Sequence, residues 1–339
     1  MPTHTPPPNL PPMKDLTTDN ITDNVHAINS SCSDPRLRFL LERLVAHLHD
    51  FARETRLSIP EWEAAIKFLL AVAAISSDVR QEFILLSDVL GLSLLVDAID
   101  HPKLAGSTEG TVLGPFHTQD AHRVEAGAAI SVDEDGEPLL VVCTVKDTKG
   151  RPLPGVAVDV WETDSKGFYD VQYADRKGPD GRGVVVSDED GVISFRAIVP
   201  VPYPIPHDGP VGKLLSRLGR HPYRPSHMHF MFKKEGYDRL ITALYLRGDP
   251  YETSDAVFGV KESLIVNLGK VSDVPGLAEQ HSVSPDTKLL RYDFVLTTED
   301  EARQAREAEA RKVAEAAHPG DRLKVVDGLL VPDYALEVD

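Results

Sequence analysis

Apolar residues recur at helical spacing near the start of the chain and in short strand-like runs further on. Leu37, Leu40, Leu41, Leu44, Val45 and Leu48 fall three or four apart behind Ser33-Asp34-Pro35. That tripeptide supplies a capping side chain and a proline suited to the first helical turn. Ser58-Ile59-Pro60-Glu61 opens a second predicted helix carrying Trp62, Ile66, Leu69 and Leu70. A third candidate, over about residues 79–99, is apolar around much of its circumference. Such a helix needs burial or a subunit contact. Ahead of all three, residues 1–30 are rich in Pro, Thr, Asn and Asp and read as a mobile arm.

The pattern changes after Gly106. Short runs of β-type residues cover 139–145, 156–161, 184–186, 192–199, 228–232, 240–246, 263–267 and 289–296. Turn pairs such as Lys149-Gly150, Asp180-Gly181 and Asp190-Gly191 separate several of them. Strands without intervening helices predict an antiparallel β-sandwich, not βαβ units. A highly charged helix over 299–317 follows. The expected fold is thus mainly β with a helical N-terminal region. Its layout is an arm (1–30), a helical linker or dimerisation domain (31–106), a sandwich core (107–298) and a charged C-terminal helix and tail (299–339).

Composition narrows the function classes. A formal net charge of -17 leaves no excess of Lys and Arg to neutralise phosphates, which argues against nucleic acid and anionic membranes. Cys32 and Cys143 are too few for a disulfide framework or a thiolate metal site. The first residues lack the basic and apolar regions of a secretory signal, and no long uncharged apolar run occurs. A cytoplasmic enzyme is the expectation.

The strongest chemical signal is His227-Met228-His229. Side chains alternate along a strand, so the two imidazoles project from one face and can begin a metal site. The plainer alternative is a pair of half-buried strand histidines. Tyr169 follows Gly167-Phe168 in a turn, and Tyr203 stands among four prolines in 200–206, a rigid setting that a surface loop would also explain. No carboxylate or cysteine stands beside the histidines, so a zinc site is unsupported. Two hard phenolate oxygens with two neutral imidazoles suit Fe(III), whose charge would deprotonate tyrosine far below its usual pKa of about 10.

Several motifs occur together in one order: Gly114-Pro115-Phe116, Pro154-Gly155-Val156 leading to Trp161, Gly167-x-Tyr169, and Tyr203 among prolines. Arg224-Pro225-Ser226-His227-x-His229-Phe230 and Asp255-Ala256-Val257-Phe258-Gly259-Val260-Lys261 complete the series. From Val112 to about Leu296 the chain resembles the intradiol ring-cleavage dioxygenases, and its helical front end resembles the catechol 1,2-dioxygenase branch. The run from Phe83 to Gly91 and the last motif are most similar to the hydroxyquinol 1,2-dioxygenase subgroup.

The resemblance implies a non-haem Fe(III) held by Tyr169, Tyr203, His227 and His229, which makes 107–298 the catalytic domain. It implies an aromatic diol or triol and O2 as substrates, with the diolate displacing Tyr203 from iron and O2 attacking the ring. Arg224 would stabilise the negative charge that develops. Hydroxyquinol would give hydroxymuconate, the enol form of maleylacetate; catechol or a chlorocatechol is the alternative substrate. Leu85, Asp88, Val112, Gly114, Pro115, Phe116, Ile205, Pro206, Arg224 and Val257 are implied substrate contacts. Asp88 could accept a hydrogen bond from the third ring hydroxyl that catechol lacks; bonding within its own helix is the plainer role. One departure stands out, since the family's polar residue sixteen positions after the first ligand histidine is Ala243 here.

The apolar third helix predicts a homodimer, and relatives hold lipid between their N-terminal helices. Two other classes compete. A prealbumin-like binding module would be colourless and inert with iron, and a cupin-type zinc or ferrous oxygenase would need a carboxylate ligand. Tyrosinate-to-Fe(III) charge transfer would colour the first candidate red-brown.

Overall fold

The computed structural model of the chain describes residues 15–77, 80–317 and 323–333. The helices are α1 (Ile21–Asn29), α2 (Pro35–Thr55), α3 (Ile59–Ile75), α4 (Glu82–Val89), α5 (Leu92–Asp100), α6 (Pro210–Arg217), α7 (Leu277–His281) and α8 (Glu299–Ala316). The strands are β1 (Pro138–Asp147), β2 (Ala157–Trp161), β3 (Arg182–Val186), β4 (Val192–Ile198), β5 (Tyr203–Pro204), β6 (Tyr223–Arg224) and β7 (His227–Lys233). They continue as β8 (Leu240–Leu246), β9 (Ile265–Val266), β10 (Gly269–Lys270), β11 (Lys288–Leu290), β12 (Asp293–Leu296), β13 (Leu323–Val326) and β14 (Leu329–Pro332).

Local chemistry accounts for the helix starts. Asp34 accepts from the backbone N–H groups of Arg36 and Leu37 at 2.9 and 3.0 Å, with Pro35 in the first turn. Glu61 reaches back to the Ser58 backbone and hydroxyl at 2.9 and 2.6 Å, opening α3. The third predicted helix is instead two, α4 and α5, because the chain breaks at Gly91, whose φ of 76° is left-handed. The stretch read as an N-terminal arm contains α1, and its first fourteen residues lie outside the described ones. Sequence reasoning did not anticipate α6, although Val211, Leu215 and Leu218 behind Pro210 carry its period.

Two five-stranded sheets make the core. One runs β10-β11-β1-β12 with β4 on β1; the other runs β3-β2-β7-β8-β9. Most neighbours are antiparallel, but β1 pairs in parallel with β11 and then β12, and β8 pairs in parallel with β9, so both sheets are mixed. Val141, Cys143 and Val145 of β1 meet Val158 and Val160 of β2, Phe230 and Phe232 of β7, and Phe294 of β12 in one buried cluster. Alternation along β7 sorts its side chains between two faces. Met228, Phe230 and Phe232 enter that core, which turns His227, His229 and Met231 to the opposite face.

By compactness the chain divides into one unit made of residues up to 70 and from 306 onward, and another made of 71–305. Within the second unit, α4 is tied to its surroundings by polar contacts. Buried Glu82 accepts from the Val211 N–H at 3.1 Å, and Arg220 donates to the carbonyls of Val89 and Ala256 at 2.7 and 2.8 Å.

Candidate metal centre

Three segments deliver four polar side chains to the outer face of β7. His227 and His229 come from β7 itself, with their Nε2 atoms 3.0 Å apart. Tyr203 comes from β5, whose pairing with β6 sets it directly opposite Arg224. Tyr169 follows β2 in a turn where its N–H donates to Gln172 Oε1 at 2.8 Å. Its hydroxyl lies 3.3 Å from that of Tyr203, and the rings of Tyr203 and His227 are 5.4 Å apart. Gly167 makes this approach possible. Its φ is 82°, and a Cβ there would stand 3.0 Å from Tyr203 Cβ. All four side chains are buried.

Aromatic packing fixes the rings. Trp161, opposite His229 across β2 and β7, stacks on its imidazole at 4.7 Å and 4°. Phe116 stacks on Tyr169 at 4.6 Å. His227 Nδ1 lies 2.7 Å from the Pro225 carbonyl oxygen, a contact only an Nδ1–H can make, so the Nε2 lone pair faces the site. His229 Nδ1 is buried without a hydrogen-bond partner among the described residues, and its cross-strand neighbour is the fully buried Ala243. The position that the family pattern makes polar therefore lies directly across from a site histidine.

Electrostatics sort these groups by charge. Burial, with the nearby Arg224 charge, pushes the His227 imidazole down to about 3. Burial and then the His227 neighbour push His229 well below its usual value. Both rings are therefore neutral, as metal ligation requires. Burial raises the Tyr169 phenol well above its ordinary range, reinforced by Tyr203; Tyr203 is also raised by burial, against the pull of Arg224. Two phenols in this setting ionise only when a cation compensates them.

Among the described residues no group of three or more His, Cys, Asp or Glu side chains could hold a metal. The donors standing beside the histidine pair are the two phenol oxygens. Ligands about 2.1 Å from one ion and at right angles stand roughly 3 Å from each other, the spacing seen within both the oxygen and the nitrogen pair. The donor set fits a small ferric ion.

Two family descriptions match the chain: "Catechol dioxygenase N terminus" over residues 34–108 and "Dioxygenase" over 112–298. An intradiol ring-cleavage dioxygenase of Aspergillus niger is 64% identical over 324 residues, covering 96% of this chain and 97% of its own. The chain belongs to the intradiol ring-cleavage dioxygenases. A hydroxyquinol 1,2-dioxygenase of a Rhizobium species is 46% identical over 278 residues, 81% of this chain and 93% of the relative. The solved hydroxyquinol 1,2-dioxygenase of Pseudomonas putida superposes with a TM-score of 0.78 at 40% identity, over 83% of this chain and 99% of that one.

For an enzyme of this family the remaining expected site residues fall in informative places. Arg224 is buried beside the imidazoles, with Nη1 3.1 Å from His227 Nε2. Leu85 and Asp88 are buried on α4; Val112, Ile205 and Val257 are buried, and Pro115 and Pro206 half-buried, on connecting segments. A Cβ on Gly114 would lie 3.8 Å from the His229 ring. Sequence reasoning missed three contributors. Tyr245 stands inside the strand run 240–246 with no role of its own, and Trp161 and Asp255 stand only as parts of motifs. Tyr245 lies across from His227 on β8, and its buried hydroxyl accepts from Arg224 Nη2 at 3.0 Å. The β8 alternation, which sets Tyr245 on the same face as Ala243, was the available signal. No helix among the described residues is long and apolar enough to cross a membrane.

Proposed function

We propose that the chain is a cytoplasmic hydroxyquinol 1,2-dioxygenase whose Fe(III) is held by Tyr169, Tyr203, His227 and His229. The observation that carries this reading is the buried convergence of two phenol oxygens 3.3 Å apart and two imidazole nitrogens 3.0 Å apart. The choice of substrate is supported by relatives named hydroxyquinol 1,2-dioxygenase at 45–46% identity. Bound ferric iron supplies a chelating Lewis acid that gives the ring of a catecholate carbanion character.

The protein's own groups do the rest. Tyr203, on a two-residue strand, would hold the metal as tyrosinate and is the group placed to give way as the diol binds, taking up one of the diol's protons to become a neutral phenol. Arg224 holds a fixed positive charge in a site shut off from water, where negative charge builds as O2 adds to the ring. Burial of Leu85, Val112, Ile205 and Val257 keeps that charge from being screened. Asp88 takes the third hydroxyl of hydroxyquinol. The product is 3-hydroxy-cis,cis-muconate, tautomer of maleylacetate. The helical segment forms a homodimer, with room for lipid between its helices.

Steady-state rates on hydroxyquinol, catechol and 4-chlorocatechol with one iron-loaded preparation test the assignment. Hydroxyquinol should have the highest kcat/KM. A higher value for either of the others would move the substrate to that compound, and a colourless, inert preparation after iron loading would end the metal assignment itself.

A further inference from the structure

The loop after β8 winds around one carboxylate. Asp255 is buried, and both its oxygens are fully engaged. Oδ1 accepts from Arg224 Nε at 3.1 Å and from the Val257 N–H at 3.3 Å. Oδ2 accepts from Arg224 Nη2 at 3.3 Å and from the Gly259 N–H at 2.9 Å. Between the two backbone donors lies Phe258, whose φ of 61° puts a bulky residue in the left-handed region. A conformation so unfavourable persists only where its neighbours over-determine it. Here they do, because the carboxylate grips the backbone on either side and Thr111 Oγ1 donates to the Gly259 carbonyl at 2.6 Å.

The same carboxylate limits where Arg224 can point. With Nε and one edge of Nη2 on Asp255, and Nη2 also on the Tyr245 hydroxyl, the free direction is Nη1, which lies 3.1 Å from His227 Nε2. Gly259 leaves room for this arrangement. A Cβ there would stand 2.7 Å from the Tyr245 hydroxyl and 2.9 Å from Arg224 Nη2. An arginine paired on one edge by a bidentate carboxylate presents its other edge with little freedom.

We propose that Asp255 is a positioning residue for ring cleavage: it aims the Arg224 guanidinium at the reacting ring and, through the same two oxygens, fixes the loop that carries Val257. The inference rests on the role proposed for Arg224 in charge stabilisation. Charge placement and substrate selection are then coupled through a residue that touches neither substrate nor metal.

Asp255→Asn keeps the shape but replaces one acceptor by a donor facing N–H groups, and Asp255→Glu keeps the charge but shifts the fork by one methylene. Both iron-loaded variants are compared with Arg224→Ala and with Arg224→Ala/Asp255→Asn. The expected result is a fall in kcat of roughly 10- to 100-fold, as for groups that orient a reacting residue, in each Asp255 variant that folds. The visible charge-transfer band of the resting enzyme should stay unchanged, since all four ligands are intact. Anaerobic titration of that band with hydroxyquinol should show a much smaller loss of affinity than of turnover. The double variant should be no slower than Arg224→Ala alone. A wild-type kcat in either Asp255 variant overturns the proposal, as does additivity in the double variant. If Arg224→Ala itself turns over normally, the role of Arg224 fails first and takes the proposal with it.

Discussion

Around His227 and His229 almost no side chain meets solvent, whereas along α2 and α3 large apolar residues stand half open. In the first region, Trp161, Tyr169, Tyr203, Tyr245 and Arg224 are all nearly fully buried, and most of their polar atoms have partners. In the second, Leu37, Leu40, Leu44, Leu48 and Phe51 form one exposed stripe on α2, and Ile59, Trp62, Ile66 and Leu70 form another on α3. Each such side chain is already about half covered, so covering the rest contributes on the order of 1 kcal/mol. The candidate site is therefore buried within one chain, while the helical faces hold unused hydrophobic free energy. The first region is ordered by hydrogen-bond geometry; the second presents apolar area that the proposed homodimer would cover.

The sharpest way to break the first half of that comparison is to remove a donor. His229→Ala should abolish the charge-transfer band and cut kcat/KM well beyond the roughly 100-fold that loss of a supporting residue costs. Tyr203→Phe should keep the fold and shift the band. An unchanged spectrum with normal turnover in either variant would strike that side chain from the ligand set. The second half is broken by charge. Ile66→Glu on α3 would bury an unpaired carboxylate in a dimer, which costs several kcal/mol, so mass by sedimentation should fall to that of a monomer at micromolar concentration. A wild-type mass, or a monomer from the start, would separate those apolar stripes from dimerisation.

Much of this contrast was legible in the sequence. His-x-His on a strand could only place both rings on one face, and the caps at Asp34 and Ser58 located two helices to within a residue. What escaped notice depended on packing. Gly91 splits an apolar run that reads as a single helix, because one left-handed residue outweighs continuous hydrophobicity. Strand alternation and the 255–261 motif mark Tyr245 and Asp255 without giving their roles, which exist only once β8 is registered against β7 and its loop folds back on Arg224. The division between compact units inside α3 was equally invisible in the sequence.

Asp88 gives a smaller and more discriminating effect. Losing one hydrogen bond to the third ring hydroxyl is worth about 1–3 kcal/mol, so Asp88→Ala should move the hydroxyquinol-to-catechol ratio of kcat/KM towards catechol by roughly 5- to 150-fold. An unaltered ratio would assign Asp88 to its helix alone. Stability should move the other way. Burial, opposed by the Ser93 hydroxyl and the Arg224 charge, raises the Asp88 carboxyl above its usual value. The folded chain thus holds that proton more tightly than the unfolded chain does. The contribution of Asp88 to stability is greatest below a pH of about 3.9 and is lost as pH rises through the raised value. Relative to wild type, Asp88→Ala should gain stability as pH rises from about 3.9 through that raised value in urea titrations; a constant difference would show that the fold does not raise the carboxyl's affinity for its proton.

The smallest effect tests whether the helical region is stabilised locally at all. Asp34 closes the open N–H groups of α2 through two hydrogen bonds, and the stripe on that helix gains nothing from solvent. Removing such a cap costs about 0.5–2 kcal/mol. If α2 is held mainly by cover from a second copy, the unfolding midpoints of both wild type and Asp34→Ala should rise with protein concentration, because association stabilises the folded chain by mass action. If the helix stands on its own propensity and caps, both midpoints should be the same at every concentration, and the exposed leucines would then be a surface awaiting some other partner than this chain.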